Sequence, residues 1–257
     1  MTAIYDIKSD IVVDDDLSIN GQYIGQVIPH YKQLKLEGVG VLAQAVTTVE
    51  IPARRGVWLS NVRDESRSLK VTYAITYESL SQLSDALTAL NKLLRQVDDE
   101  GLLTISTRDD NSYSYKGVLE STDNGTTDGG YYEGGFTLLI PDPYRKSEVQ
   151  ASNGRVTLSH AFEVLPKKIV ARVTQNTTKL TVQTSRQTIT FNGNYTAGKE
   201  LSIEWLEDEV VCRYDGRSVL SELAHLSIPE SFTVRNGEAV TGTNLAIQRV
   251  EWRDEKL

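Results

Sequence analysis

The chain has 257 residues, of which 39% are hydrophobic and 24% charged, and its formal net charge is -8. This composition is ordinary for a globular protein with a sizeable core, and the length slightly favours two domains over one. No apolar run approaches the roughly 18 residues of a membrane span, and the opening MTAIYDIKSD does not have the basic-then-apolar order of a secretory signal. The single cysteine, Cys212, excludes an internal disulfide, which fits folding in a reducing cytoplasm.

The first segment with a candidate role is VEIPARRGVWL, residues 49–59. Strand-forming residues flank the turn-like PARRG, so we expect a protruding hairpin or loop that carries Arg54, Arg55 and Trp58. Arginine and tryptophan are enriched at protein–protein contacts. The segment is therefore a candidate interface, and an ordinary hairpin tip is the alternative.

A leucine-striped helix is predicted over about residues 79–97, directly after a strand of alternating side chains, residues 69–77. Ser79 and Gln82 have the spacing of a capping box, and Gly101 supplies a stop. Apolar residues recur at steps of three and four, which places one stripe on the helix. The stripe consists of Leu80, Leu83, Leu87, Leu90, Leu94 and Val97, broadened by Ala86 and Leu93.

Three strands are predicted after the helix, from LLTIST, SYSYKGVLES and YYEGGFTLLI, and they form an antiparallel run that ends at Ile140. Pro141 and Pro143 follow, and because proline has no N–H, IPDPY is predicted to be a short, stiff connector outside the sheet. Residues 1–147 carry 21 acidic and 14 basic residues, whereas residues 148–257 carry 14 and 13. The connector therefore separates two predicted domains, residues 1–147 and 148–257.

The second domain is predicted to be an antiparallel β-sandwich, since seven or more short strand patterns follow at close spacing. Asn192-Gly193 and Asp215-Gly216 have the composition of tight hairpin turns, which require positive φ at both central residues. Trp205 and Trp252 lie in alternating strand patterns, so they are predicted to pack in a core rather than to form sugar-stacking platforms.

The sequence contains no recognisable constellation of catalytic residues. His30, His160 and His225 are far apart in the sequence and outside any ligand-spaced motif, and Cys212 lies on a strand where a buried, inert thiol is expected. The acidic run at residues 14–16 does not have the spacing of a calcium loop. We therefore predict no catalytic, metal-binding or cofactor-binding residues, and the acidic first half argues against a nucleic-acid clamp.

The ordered set of features resembles the distal tail protein family of long-tailed phages with non-contractile tails. The similarity runs over nearly the whole chain, through SINGQYIG, EIPARRGVWL, LKVTYAITY, the helix, GLLTIST, YSYKGVL, IPDPYRKS, YTAGKELSIEW and VVCRYDGRSVL. It implies a mainly β fold: an N-terminal β-barrel-like domain with one flanking α-helix, and a C-terminal galectin-like antiparallel β-sandwich. It also implies that the segment at about residues 45–65 is a belt-like hairpin that reaches a neighbouring subunit.

The resemblance further implies a structural, non-enzymatic protein without a cofactor, assembled in the host cytoplasm and placed at the tail tip of the virion. Such a protein forms a homo-hexameric ring that joins the tail tube protein to the tail-tip or tail-associated lysin protein and contacts no membrane. Side fibres or a receptor-binding protein attach to its outward-facing C-terminal domain.

The resemblance also implies roles for individual residues. Arg54, Arg55 and Trp58 are expected at the subunit interface, and Pro141, Asp142, Pro143 and Tyr144 in the interdomain linker. DNA would pass through the ring without specific binding, because acidic groups repel phosphate. The expected channel-facing acids are Asp98, Asp99, Glu100, Asp109 and Asp110.

Two other functions compete with the ring hub. One is a carbohydrate-binding, galectin-like adhesion module, which requires an exposed aromatic side chain surrounded by polar groups. The other is a cell-wall hydrolase, which requires paired carboxylates roughly 5–9.5 Å apart in a cleft.

Overall fold

The computed structural model describes residues 16–257, apart from residues 54, 109 and 207. The chain divides into two compact units, the first ending at Arg145 and the second spanning Lys146–Lys256. The sequence placed the boundary after Ser147, and the roles of the two domains stay a prediction.

The first unit is built from antiparallel strands with one helix of more than a single turn among its described residues. Its elements, in chain order, are β1 (Leu17–Ile19), β2 (Gln22–Tyr23), α1 (Ile24–Val27), β3 (Tyr31–Glu37), β4 (Gln44–Glu50), β5 (Val57–Asp64), β6 (Arg67–Thr76), α2 (Leu80–Leu94), β7 (Leu103–Thr107), β8 (Asp110–Thr122), β9 (Thr126–Asp128) and β10 (Tyr131–Ile140).

One antiparallel sheet organises the first unit, in the order β2-β1-β7-β8-β10-β6-β3, with β9 paired to β10. The two ends of this sheet approach each other, because the Leu17 N–H of β1 donates a hydrogen bond to Gln33 Oε1 of β3 over 3.3 Å. Gln33 is buried although it is polar. The sheet therefore curls on itself around a core that includes Val71, Ile105 and Phe136, which is the barrel-like arrangement expected from the sequence.

Helix α2 forms as predicted at its start, because the Gln82 N–H donates to the Ser79 side chain over 3.3 Å. It ends at Leu94, three residues before the predicted end, so Val97 lies outside it. Leu80 in the first turn and Val97 are exposed, which corrects the predicted stripe at both ends. The helix packs its remaining apolar face into the core through Leu83, Ala86, Leu90, Leu93 and Leu94.

From the connector onward the chain is again mainly β-strand. The elements are β11 (Arg145–Ser147), β12 (Gln150–Ser152), β13 (Glu163–Val164), β14 (Pro166–Val173), β15 (Thr177–Gln183), β16 (Thr188–Tyr195), β17 (Glu200–Trp205), β18 (Val210–Tyr214), β19 (Arg217–Ser218), two 3-10 turns (Leu220–Glu222 and Pro229–Ser231), β20 (Val234–Arg235), β21 (Thr241–Thr243), β22 (Leu245–Trp252) and β23 (Glu255–Lys256).

Two antiparallel sheets of the second unit share one core. The larger has the order β12-β22-β14-β17-β18-β19 and the smaller β16-β15-β21. Ile203 of the first and Phe191 of the second are both fully buried in the core between them. Trp205 and Trp252 are buried as predicted, and their indole N–H groups donate to the carbonyls of Pro229 (2.8 Å) and Thr157 (3.1 Å).

The two expected hairpin turns of the second unit have different outcomes. Asp215 and Gly216 form the β18–β19 turn with φ of 47° and 82°, which confirms that prediction. The prediction for Asn192-Gly193 is wrong, because β16 runs straight through both residues. A Cβ at Gly193 would displace the Glu222 carboxylate and the Tyr195 hydroxyl, which lie beside it.

The expectation of a mainly β fold with one flanking helix is confirmed. Among the described residues, no helix has the length and apolarity needed to cross a bilayer. The galectin-like character of the second unit stays a prediction.

Candidate subunit interface

Strands β4 and β5 form a separate two-stranded hairpin, and neither pairs with any other strand that the structure describes. Every residue of the two strands is exposed except Ala45 and Asp64, which are half-buried. Nine of the fourteen exposed large hydrophobic side chains in the described part of the first unit lie between residues 39 and 62. An isolated two-stranded hairpin is marginally stable in water, so exposed apolar residues at this density indicate an interaction surface.

The strand register assigns these apolar side chains to two different faces, since directly opposite residues share a face and successive residues alternate. The face named here the aliphatic face carries the pairs Val46–Val62, Thr48–Leu59 and Glu50–Val57. The opposite face, named here the tryptophan face, carries the pairs Ala45–Arg63, Thr47–Asn61 and Val49–Trp58.

The tip of the hairpin contains two residues in the left-handed region, Ala53 with φ 65° and Gly56 with φ 78°. Arg54 lies outside the described residues. Arg55 is exposed, and Trp58 remains 54% exposed. The structure therefore places the described members of the predicted interface set on one projecting element.

The base of the hairpin is fixed by buried and half-buried side chains of the first unit. Arg67, which is 3% exposed, donates through Nη1 to the carbonyls of Gly38 (2.5 Å) and Gly40 (2.9 Å) in the segment that enters β4. At the other strand, Asp64 Oδ1 accepts from Gln44 Nε2 over 3.0 Å, and its Oδ2 accepts from the Tyr144 hydroxyl over 2.5 Å. These bonds, first that of Tyr144, lower the pKa of Asp64. Neither Arg67 nor the Tyr144–Asp64 pair was found from the sequence.

The predicted linker residues 141–144 lie in no strand. Pro141 is exposed, Asp142 and Tyr144 are half-buried and Pro143 is buried, and the Tyr144 N–H donates to Asp142 Oδ1 over 3.3 Å. The next residue, Arg145, lies over the buried Tyr115 ring at 4.9 Å from its centroid. Side chains at the end of the linker thus contact the first unit.

The predicted channel acids that the structure describes lie at two ends of the β7–β8 hairpin. Asp98 precedes β7 and forms an ion pair with Lys116, which is 4.0 Å from Glu100. Asp110 begins β8 at the opposite end, 3.8 Å from Arg145. Asp99 is exposed beside Asp98, and Asp109 lies outside the described residues. Strand β7 has five residues and spans about 17 Å, so these acids do not form one cluster in a single chain.

Asp98 has a local structural role that explains why an acid follows a helix C-terminus. Its Oδ1 accepts the N–H groups of Glu100 (3.1 Å) and Leu102 (3.0 Å), which closes the turn into β7. The hydrogen bond from Lys116 is the largest cause that lowers the pKa of Asp98, and these backbone N–H groups add to it.

The second unit has a shallow depression of about 580 Å³ lined by polar residues from the turns 183–186 and 235–241. Its charges are paired: Glu163 lies 3.4 Å from Arg186 and 3.0 Å from Arg235, and Glu238 lies 3.4 Å from Arg186. Phe162 is 72% exposed, and the Arg235 guanidinium lies 4.4 Å from its ring centroid.

No described group of three or more His, Cys, Asp or Glu residues could hold a metal ion. Of the acidic run at residues 14–16, the structure describes Asp16, which accepts the Gly25 N–H at 3.3 Å. Cys212 is 1% exposed, and burial raises the pKa of its thiol to about 11, so it is a poor nucleophile at neutral pH.

The fold is similar to that of solved phage proteins. The crystal structure of the SPP1 Dit (gp 19.1) protein, described as a paradigm of the hub adsorption apparatus in phages that infect Gram-positive hosts, matches with a TM-score of 0.73. The match covers 95% of this chain and 99% of that chain at 13% sequence identity. The chain therefore has the Dit fold, which confirms the expected resemblance at the level of the fold.

A weaker match is the structure of the phage P2 baseplate in its activated conformation with Ca, at a TM-score of 0.48 and 9% identity over 89% of this chain and 91% of that chain. No protein-family model and no curated protein sequence matches the chain.

Proposed function

We propose that this chain is a structural distal tail protein of a phage with a long, non-contractile tail. In this role six copies form a ring hub at the tail tip, which joins the tail tube protein to the tail-tip or tail-associated lysin protein and to the host-recognition apparatus. The observation that carries the proposal is the SPP1 Dit fold, which extends over both units of the chain.

The β4–β5 hairpin gives this proposal a physical basis in the chain itself. A ring requires each subunit to offer a surface that another copy covers, and the exposed apolar side chains of this hairpin are such a surface. In the proposed ring the hairpin is the belt-like element, with Arg54, Arg55 and Trp58 at the contact with a neighbouring subunit.

The proposed hub is not an enzyme, and it acts in the virion at the tail tip after assembly in the host cytoplasm. The second unit faces outwards, and side fibres or a receptor-binding protein are its proposed partners. DNA passes through the channel without specific binding.

The contribution of each proposed channel acid depends on the basic side chains beside it. In a single chain Lys116 lies beside Asp98 and Glu100, and Arg145 lies beside Asp110, so these acids are partly neutralised. Among the acids that the structure describes, Asp99 then carries most of the proposed repulsion of DNA phosphate. A ring structure whose lumen is net basic would exclude this role.

The oligomeric state of the purified chain tests the hub. Native mass spectrometry combined with electron microscopy should show a hexamer with a central hole, either for the chain alone or after addition of the tail tube protein. Labelled antibody against the chain should mark the tail tip of intact virions. A chain that stays monomeric in both conditions and is absent from the tail tip would contradict the proposal.

A second candidate function is glycan binding by the second unit, which the exposed Phe162 beside a polar depression favours. An exposed aromatic face can stack on a sugar ring, and paired arginines favour a neutral ligand over a charged one. Binding of neutral glycans on an array, lost in Phe162→Ala, would support it. An array without binding would exclude glycan binding and leave the ring hub as the proposed function.

A further inference from the structure

The β4–β5 hairpin has apolar side chains on both faces, whereas a hairpin that lies on a single surface needs only one apolar face. On the aliphatic face, Val46, Leu59 and Val62 are 53%, 59% and 45% exposed. On the tryptophan face, Val49 and Trp58 are 50% and 54% exposed. Whichever face covers a neighbour, the other would leave large apolar side chains in water.

We propose that the hairpin is inserted between two protein surfaces in the assembled ring, so that both faces are buried, and that both surfaces belong to copies of this chain. This inference rests on the proposed function, because it specifies how the hairpin contributes to the ring. The aliphatic face and the tryptophan face carry different side chains, so the contacts they make are heterologous. Heterologous contacts are the kind that close rings, whereas a two-fold dimer uses the same surface twice.

Charge identifies other copies of this chain as the occupants. Over residues 44–64 the hairpin carries Arg54, Arg55 and Arg63 against two acids, Glu50 and Asp64. The other residues of 1–147 carry 19 acidic and 11 basic residues. A basic projecting element is attracted to an acidic surface, and the first unit of a neighbouring copy is such a surface.

The length of the hairpin allows the insertion. Strand β4 has seven residues and spans about 23 Å, so the paired strands project well beyond their base. The base is held by Arg67, Gln44 and Tyr144. Because these bonds all lie at one end, Val46, Val49 and Leu59 stay at least half exposed along the rest of the hairpin.

One variant on each face tests the proposal. Val62→Asp places a carboxylate on the aliphatic face, and Val49→Asp places one on the tryptophan face. Val97→Asp is the matched control, because Val97 is 47% exposed in the same unit but outside the hairpin. Circular dichroism and thermal unfolding check that each variant folds, and native mass spectrometry over a concentration series gives the concentration at half assembly.

We expect each face variant to raise that concentration at least tenfold, and Val97→Asp to change it less than twofold. Val62→Ser and Val49→Ser should act in the same direction but more weakly, since they remove apolar surface without burying a charge. If the wild-type chain forms the ring and either Val49→Asp or Val62→Asp assembles at the same concentration, the two-sided insertion is overturned and the proposed hub stands. A wild-type chain that remains monomeric, alone and with the tail tube protein, would overturn both.

Discussion

Tyr144 donates its hydroxyl proton to Asp64 over 2.5 Å, although the two residues are 80 positions apart in the chain. Tyr144 belongs to the connector after the last strand of the first sheet, and Asp64 is the last residue of β5. Gln44, directly across the hairpin, donates to the other carboxylate oxygen. The connector therefore helps to hold the base of the element that we propose to be the subunit interface.

Removal of this bond should loosen the hairpin without unfolding the first unit. We expect Tyr144→Phe to increase amide hydrogen exchange over residues 44–64 and to leave exchange in β6 and β10 unchanged. Because the pKa of Asp64 is lowered on folding, the contribution of its carboxylate is present at neutral pH and is lost as pH falls below about 4. Tyr131→Phe, at a tyrosine that is 37% exposed, is the control. Unchanged exchange in Tyr144→Phe would mean that other contacts hold the base.

Gly38 lies where the segment entering the hairpin passes β6. Its φ is 93°, and a Cβ at this position would collide with the carbonyl oxygen of Ser68. We expect Gly38→Ala to destabilise the first unit by about 3 kcal/mol or more in urea unfolding, because it combines a strained φ with a backbone clash. Gly40→Ala is the matched control, since no atom lies within 4 Å of a Cβ built there. Equal stability of the two variants would refute this explanation.

Asp254 ties the end of the second unit to a loop about 95 residues earlier. Its side chain is fully buried and accepts the N–H groups of Ser159 (2.9 Å), His160 (3.1 Å) and Ala161 (3.0 Å). We expect Asp254→Ala to cost about 3 kcal/mol of unfolding free energy or more, because three backbone N–H groups lose their charged, buried acceptor. Guanidinium unfolding followed by tryptophan fluorescence measures the loss.

The exposed Asp208 provides the comparison for that measurement. Asp208→Ala should leave the unfolding midpoint unchanged, and Asp254→Asn should lie between wild type and Asp254→Ala, since an amide oxygen still accepts hydrogen bonds. A small effect of Asp254→Ala would show that water or the chain itself replaces the carboxylate.

Cys212 should be inert in the folded chain. Burial raises the pKa of its thiol to about 11, so the reactive thiolate is scarce below that pH, and the side chain is 1% exposed. We expect no reaction with a disulfide reagent at pH 7 or 8 in the native state and complete reaction in guanidinium. Rapid labelling of the native chain at pH 8 would contradict the buried placement.

The positive charge of Arg55 is expected to contribute to ring assembly. Arg55→Glu should weaken the ring and leave each subunit folded, because it reverses one of the basic charges that face an acidic neighbour. The effect should shrink at high salt, which screens exposed charges. Arg213→Glu, at an exposed arginine of the second unit, should assemble as wild type does. Normal assembly of Arg55→Glu at low salt would remove Arg55 from the interface.

Local sequence patterns were sufficient to predict those features whose structure is determined by neighbouring residues. The start of helix α2 follows from Ser79 and Gln82, and the Asp215-Gly216 turn follows from its need for positive φ. The alternation that identified Trp205 and Trp252 as core residues depends on strand geometry alone. These features arise from interactions over a few residues, so they can be read along the chain.

The tertiary structure alone decided the features that depend on residues far apart in the chain. Asn192-Gly193 has turn composition but lies within β16, where Gly193 packs beside the Glu222 carboxylate. The sequence located the exposed hairpin and its basic, aromatic composition. Only the fold showed that apolar side chains occupy both faces, because the register across the bulge near Ser60 assigns them. The bond between Tyr144 and Asp64 likewise exists because the folded backbone brings the connector to the hairpin base.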